Sequence, residues 1–82
     1  MRFAESMSEH SLDARRLLCP LPVIRVQNAI KNLQPGDQLL VVATDPGVKA
    51  DIPAWCRVHG HQLLSVEDNA ATREVWLRIL VC

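Results

Sequence analysis

The chain has 82 residues, 49% hydrophobic and 22% charged, so it can bury one modest core and does not have the composition of a disordered chain. Nine basic residues balance nine acidic ones, which gives no overall attraction to nucleic acid, although a local basic patch is still compatible with it. The three cysteines are an odd number without a C-x-x-C pair, which argues against a disulfide framework or a zinc finger and favours a reducing compartment.

Residues 1–9 are interpreted as a partly flexible lead-in to a single domain over residues 10–82. The lead-in lacks the apolar core of a signal peptide. The longest apolar stretch, Leu39 to Ala43, is far shorter than the roughly 20 residues that a membrane span needs. We therefore expect a soluble, cytoplasmic protein without membrane contacts.

In the first half of the chain, the spacing of apolar residues changes at Pro20 and Pro22. Apolar and polar residues alternate over residues 10–14, which predicts a short strand. Beyond the prolines, apolar residues recur every three or four positions, which predicts an amphipathic helix that ends before Pro35 and Gly36. The predicted core-facing residues of this helix are Val23, Val26, Ile30 and Leu33, with Ile24 and Ala29 alongside.

The second half contains one more helix and three more strands. The continuous apolar run over residues 39–44 predicts a strand covered on both faces. Asp51 is the predicted N-cap of a second helix, with Pro53 in its first turn and Gly60 as its C-terminal cap. Its predicted buried stripe is Ile52, Trp55 and either Val58 or His59. Strands are predicted over residues 61–67 and 73–81. In the last strand, one face carries Val75, Leu77, Ile79 and Val81, and the other carries Glu74, Trp76, Arg78 and Leu80.

The resulting order of elements is β-α-β-α-β-β. Two helices cannot cover both faces of a four-stranded sheet, so we expect an α/β (α+β) fold. Specifically, it is a two-layer sandwich with a mixed four-stranded sheet and both helices on one face. A right-handed first crossover makes the first two strands parallel.

Cys19 is the candidate reactive residue, because it lies where a strand ends and a helix begins. A helix N-terminus favours the thiolate, which is the nucleophilic form, so we expect a modestly lowered pKa for Cys19. Pro20 favours an extended Cys19 in the N-cap position, and the helix begins at Pro20 or Pro22. The amide of Leu21 is then the main donor left to solvate the sulfur. The alternative is that Cys19 is a small buried apolar residue.

The surroundings of Cys19 suit carrying a group more than completing a multistep reaction. Neither an obvious general base nor a second cysteine at redox spacing lies nearby in the sequence. A lone exposed thiol of this kind can hold sulfur as a persulfide, taken from one protein and passed to another.

Several sequence blocks resemble the TusA (SirA-like) family of sulfur-carrier proteins. They are Leu12-Asp13-Ala14-Arg15, Leu18-Cys19-Pro20-Leu21-Pro22, Leu33-Gln34-Pro35-Gly36, Ala43-Thr44-Asp45-Pro46-Gly47, Asp51-Ile52-Pro53-Ala54-Trp55-Cys56 and Gly60-His61. The C-P-x-P block alone is a weak match, but the order and spacing of all the blocks together, from His10 to Val81, are specific.

The resemblance implies a fold similar to the C-terminal domain of bacterial translation initiation factor three, and a persulfide on Cys19. It implies a cysteine desulfurase or another protein as sulfur donor and a relay protein as acceptor, with thiolation of a tRNA wobble uridine as one destination. We expect no cofactor and no direct contact with nucleic acid. The residues expected to support Cys19 are Pro20, Leu21, Pro22, Asp13 and Arg16.

Arg16 departs from the family pattern, which usually has glycine three residues before the cysteine. Glycine permits a turn that is unfavourable for other residues. Arg16 also adds a cation that would favour the thiolate if it lay beside the sulfur, although a solvated arginine is the simpler interpretation. Together with Arg15, Arg25 and Lys49 it could form a basic rim that steers an acidic partner.

Other residues keep two interpretations. Cys56 is either a buried helix cysteine, which we favour, or a second thiol that resolves the Cys19 persulfide. Cys82 receives no role, and His10, His59 and His61 lack metal-ligand spacing with any cysteine, so no metal is expected. The competing functions are a non-catalytic regulatory or RNA/protein-interaction module and a thiol-redox protein that uses Cys19 with Cys56.

Overall fold

A computed structural model describes residues 8–82, and they form the predicted order of strands and helices. The elements are β1 (Glu9–Ala14), α1 (Leu21–Ile30), β2 (Gln38–Ala43), α2 (Val48–His59), β3 (Gln62–Asn69) and β4 (Glu74–Leu80). Most of the predicted lead-in lies outside the described residues, and Glu9 begins β1 one residue earlier than expected. Neither helix in this range is long and apolar enough to cross a membrane.

The four strands form one mixed sheet in the order β1-β2-β4-β3. β1 and β2 are parallel, with Ala14 opposite Ala43, which confirms the predicted parallel pair. β4 runs antiparallel to both β2 and β3, and the β3–β4 register shifts between Leu63 and Ser65. The predicted α+β fold class is thus confirmed.

The core lies between the two helices and one face of the sheet. β2 buries Leu39, Val41 and Ala43, and β4 buries alternate residues, which form one of its two predicted faces. The prediction that β2 is covered on both faces is wrong, because Leu40 and Val42 point to the opposite face and are only half-buried. A continuous apolar run therefore does not indicate two-sided burial here.

α1 packs Pro22, Val26 and Ile30 into the core and is shorter than predicted. It ends at Ile30, and Leu33 is partly buried in the turn that follows. Ile24 is 45% exposed, contrary to its predicted core position. The physical reason is that a residue two positions from Val26 lies about 200° around the helix, on the opposite side.

α2 begins at Val48, three residues earlier than predicted, so Pro53 lies inside the helix, beyond its first turn. Its buried residues are Val48, Ile52 and Cys56. Trp55 is half-buried, whereas Val58 is 80% exposed and His59 is also exposed, which corrects the predicted stripe. Gly60 is the C-terminal cap as predicted, with a left-handed φ of 80° and no Cβ to oppose it.

Candidate functional site

Cys19 lies on the exposed loop between β1 and α1, so its sulfur is reachable from solvent. α1 begins at Leu21, with Pro20 at the N-cap position after a cis Cys19–Pro20 peptide bond, and Pro22 is buried in the first turn. The predicted start at Pro20 or Pro22 is wrong by one residue. The amide of Leu21 does not solvate the sulfur, because it donates to the carbonyl of Leu18 at 2.8 Å in the turn before the helix.

Asp45, in the loop after β2, holds the backbone of Cys19 in place. Its Oδ2 accepts the Cys19 N–H at 2.9 Å and its Oδ1 accepts the Gly47 N–H at 3.1 Å. These two hydrogen bonds lower the pKa of Asp45. The residue is therefore a turn residue, as predicted, and it also ties the β1–α1 loop to the loop that precedes α2.

Asp51 contacts the candidate sulfur directly. The Cys19 Sγ donates to Asp51 Oδ2 at 2.9 Å, across 32 positions of sequence. The prediction of an Asp51 N-cap is wrong, because the N-cap position of α2 is Gly47 and carries no side-chain cap. Since α2 begins three residues earlier, Asp51 falls in its first turn, and its carboxylate reaches the loop.

The electrostatics at Cys19 are opposite to the prediction. The hydrogen bond to Asp51 raises the pKa of Cys19, and partial loss of hydration and the charges of Asp51 and Asp45 act in the same direction. A carboxylate beside a thiol disfavours the thiolate, in the opposite direction to the effect expected of a helix N-terminus. At rest, the site therefore holds a protonated thiol.

The pKa of Cys19 predicts slow alkylation at neutral pH. The reaction uses the thiolate, so its rate rises with pH until the thiol is ionised. We expect the midpoint for Cys19 at higher pH in the folded chain than in the chain unfolded by guanidinium, because unfolding removes the carboxylates. Iodoacetamide labelling from about pH 6 to about pH 10, read by peptide mass spectrometry, measures both midpoints. A folded-state midpoint at or below the unfolded one contradicts this prediction.

Arg16 adopts the turn that glycine permits in the family it resembles. Its φ is 67°, in the left-handed region, and its N–H donates to Thr44 Oγ1 at 2.9 Å just after β2. The left-handed turn therefore forms with an arginine at this position. A left-handed residue other than glycine costs about 1–2 kcal/mol.

Replacing Arg16 with glycine is expected to raise the free energy of unfolding by about 0.5–1 kcal/mol. Relief of the backbone strain exceeds the entropy that glycine adds to the unfolded chain. Urea unfolding measures the change. Arg16→Ala is the matched control, since it removes the exposed side chain but keeps the Cβ. A glycine variant no more stable than the alanine variant contradicts the interpretation.

Two members of the predicted basic rim, Arg15 and Lys49, are paired with carboxylates. Arg15 binds Asp13 through its backbone and guanidinium, which lowers the pKa of Asp13 to about 2, and it also lies 3.6 Å from Glu74. Lys49 pairs with Asp68 at 3.1 Å. Within residues 8–82, the charges that raise the pKa of the Cys19 thiol are the carboxylates of Asp51 and Asp45.

Asp13 and Arg16 lie in a polar cleft next to these ion pairs. It encloses about 450 Å³ and is lined by Asp13, Arg15, Arg16, Thr44, Thr72 and Glu74. Of the predicted site residues, Pro20, Leu21 and Pro22 form the start of α1 beside Cys19. Asp13 and Arg16 instead shape the end of β1 and its turn.

The other two thiols differ from Cys19 in their surroundings. Cys56 is 1% exposed on the core side of α2, and burial raises its pKa. Its predicted status as a buried helix cysteine is confirmed. Cys82 is exposed, and its Sγ lies 3.6 Å from the carbonyl oxygen of Leu80.

The histidines contact Trp55, Asp37 and the backbone of Cys82, whose N–H donates to His61 Nδ1 at 3.1 Å. His59 and His61 stack on Trp55 with ring centroids at 4.6 and 5.4 Å. His10 Nε2 lies 3.6 Å from the buried carboxylate of Asp37. Among the described residues, no group of three or more His, Cys, Asp or Glu side chains could hold a metal ion.

Apolar side chains flank Cys19 in sequence and face solvent. Leu18 is 71% exposed, Leu21 46% and Ile24 45%. The sequence prediction missed this exposure at Ile24 because the side chain looked like part of the buried stripe. Asp51 was also missed as a partner of Cys19, since its sequence position is equally typical of a helix cap.

Comparisons with known proteins identify the family to which the chain belongs. A family model described as Sulfurtransferase TusA matches residues 10–81. Two relatives are each 43% identical to this chain over 67 residues. Both are named "Sulfur carrier protein TusA", and they come from Pseudomonas paraeruginosa (strain DSM 24068 / PA7) and Pseudomonas aeruginosa (strain LESB58). Each match covers 82% of this chain and 85% of the relative. The chain that presents Cys19 at the start of α1 therefore belongs to the TusA family of sulfur carriers and sulfurtransferases.

Proposed function

We propose that Cys19 accepts a sulfane sulfur from a donor protein, holds it as a persulfide and delivers it to the thiol of an acceptor protein. The observation that carries the proposal is an exposed Cys19 thiol held by side chains of two other segments. The chain belongs to a sulfur-carrier family, which supports the same role. Cys56 is a poor alternative carrier because it is sealed in the core.

The chemistry of this transfer needs no cofactor. Cys19 Sγ attacks the terminal sulfur of a donor persulfide, and the electron pair of the donor's sulfur–sulfur bond leaves with the donor's cysteine sulfur. One thiol and one persulfide enter, and one of each leaves, so no net oxidation occurs. Delivery to an acceptor thiol follows the same balance.

Proteins are the partners that this surface favours. The exposed apolar side chains of Leu18, Leu21 and Ile24 lie beside the sulfur in sequence and offer area for a protein contact. We propose a cysteine desulfurase as one donor and a relay protein as acceptor, with tRNA thiolation as one destination. A carrier with free thiols also fits the reducing cytoplasm.

The competing functions have less support. A Cys19–Cys56 redox pair requires a thiol that is 1% exposed to exchange with partners. An RNA-binding module requires a basic surface, whereas the charges are balanced and Arg15 and Lys49 are engaged with carboxylates.

Mass spectrometry after incubation with a cysteine desulfurase and cysteine tests the proposal. We expect an adduct of about 32 Da, one sulfur, that maps to Cys19 and disappears on reduction. An adduct on Cys56 or Cys82 alone, or the absence of an adduct with several donors, overturns the proposal.

A further inference from the structure

The carboxylate of Asp51 is fixed against the sulfur from a separate element. Asp51 is half-buried in the first turn of α2, and its Oδ2 lies 2.9 Å from Cys19 Sγ. Asp45 independently anchors the backbone of Cys19 at 2.9 Å. Two hydrogen bonds therefore position Cys19, one to Asp45 in the loop after β2 and one to Asp51 in α2.

The hydrogen bond between Cys19 and Asp51 affects how the thiol can lose its proton. The Cys19 thiol donates to the Asp51 carboxylate, which stabilises the thiol over the thiolate. The nucleophilic sulfur must then be generated while the transfer takes place, and an acceptor in contact with Sγ can take the proton and return it to a basic leaving group. Among residues 8–82, the side-chain atom that the Cys19 thiol contacts by hydrogen bond is Asp51 Oδ2.

We propose that Asp51 is a catalytic proton relay, which accepts the proton of Cys19 during attack and passes it to the departing sulfur of the donor. This inference rests on the persulfide function proposed above. As the new sulfur–sulfur bond forms on Cys19, the Sγ proton moves to Asp51 Oδ2. The donor's sulfur–sulfur bond breaks, its cysteine sulfur leaves with the electron pair, and that sulfur takes the proton from Asp51. On delivery, the acceptor thiol gives its proton to Asp51 as it attacks the outer sulfur of the Cys19 persulfide. The Cys19 sulfur is the leaving group, and it takes that proton from Asp51.

The dependence on the leaving group tests the relay. An alkyl thiol leaves as a basic thiolate and benefits from a proton, whereas the thiol of dipyridyl disulfide leaves readily without one. Asp51→Asn keeps the shape but removes the proton acceptor. We expect it to take sulfur from glutathione persulfide at least about tenfold more slowly than the wild type, since general acid–base catalysis contributes at least that much. With dipyridyl disulfide we expect an equal or faster rate, because the negative charge beside Cys19 is gone.

Matched variants separate this role from a structural one. Asp68→Asn removes an exposed carboxylate that pairs with Lys49, and we expect wild-type rates with both probes. Asp51→Glu retains a carboxyl group and should recover part of the rate with glutathione persulfide. Circular dichroism verifies folding, and Asp51→Ala replaces the asparagine variant if that variant does not fold.

The outcomes distinguish the inference from the proposed function. If Asp51→Asn changes the rates with both probes by the same factor, or changes neither, the relay is overturned while the carrier function stands. If the wild type takes sulfur neither from a desulfurase nor from glutathione persulfide, the carrier function fails, and the relay fails with it.

Discussion

Replacing Cys19 with serine is expected to abolish the sulfur adduct of about 32 Da completely while leaving the protein folded. Serine cannot form a persulfide. Its hydroxyl can still donate to Asp51 Oδ2, as the thiol does at 2.9 Å, so the loop keeps its tie to α2. Mass spectrometry after incubation with a desulfurase and cysteine measures the adduct, and circular dichroism verifies the fold.

The exposed Cys82 provides the matched control for this variant. It is also an exposed thiol, but its sulfur donates to the backbone carbonyl of Leu80 and not to a carboxylate. Cys82→Ser should load sulfur on Cys19 to the same extent as the wild type. Persistent loading of Cys19→Ser, or equal losses in both serine variants, would contradict the assignment of Cys19 as the carrier.

Replacing Leu77 with alanine is expected to lower the free energy of unfolding by about 2–5 kcal/mol. Leu77 is fully buried in β4, where it pairs with Val41 of β2 and Val66 of β3. The substitution removes buried apolar surface and leaves a cavity at the centre of the sheet. Because small domains are stable by only about 0.05–0.15 kcal/mol per residue, the loss is a large fraction of the total.

Urea unfolding measures this loss, and Leu18→Ala is its control. Leu18 is the same residue type but is 71% exposed, so its truncation should change stability by less than about 0.5 kcal/mol. Similar losses in the two variants would mean that the buried sheet face does not dominate the stability of the fold.

The raised pKa of Cys19 changes how the carrier is understood. A carrier with a permanently ionised thiol would react with any electrophile in its compartment. A protonated thiol beside Asp51 reacts slowly on its own and requires its proton to be removed. Such a site suits a carrier that should exchange sulfur only when a donor or acceptor is bound.

The order of elements was predictable from the sequence because it depends on local patterns. Alternation over β4 correctly indicated which residues share a face, and the change of period after Pro22 correctly indicated α1. Boundaries were less accurate: α2 begins at Val48, where a turn held by Asp45 starts the helix before Asp51. The local patterns of apolar and cap residues did not reveal the hydrogen bond from the Gly47 N–H to Asp45.

The sequence alone determined the fold class, the parallel first pair of strands and the position of Cys19 between β1 and α1. These follow from apolar periodicity, proline geometry and the handedness of crossovers, which are properties of neighbouring residues. The chemistry of the thiol depends instead on a long-range contact of the folded chain. The contact between Cys19 and Asp51 joins residues 32 positions apart, and it reverses the expected direction of the pKa. Electrostatic effects act through space, so the direction of this shift depends on which distant side chain the folded loop brings to the sulfur.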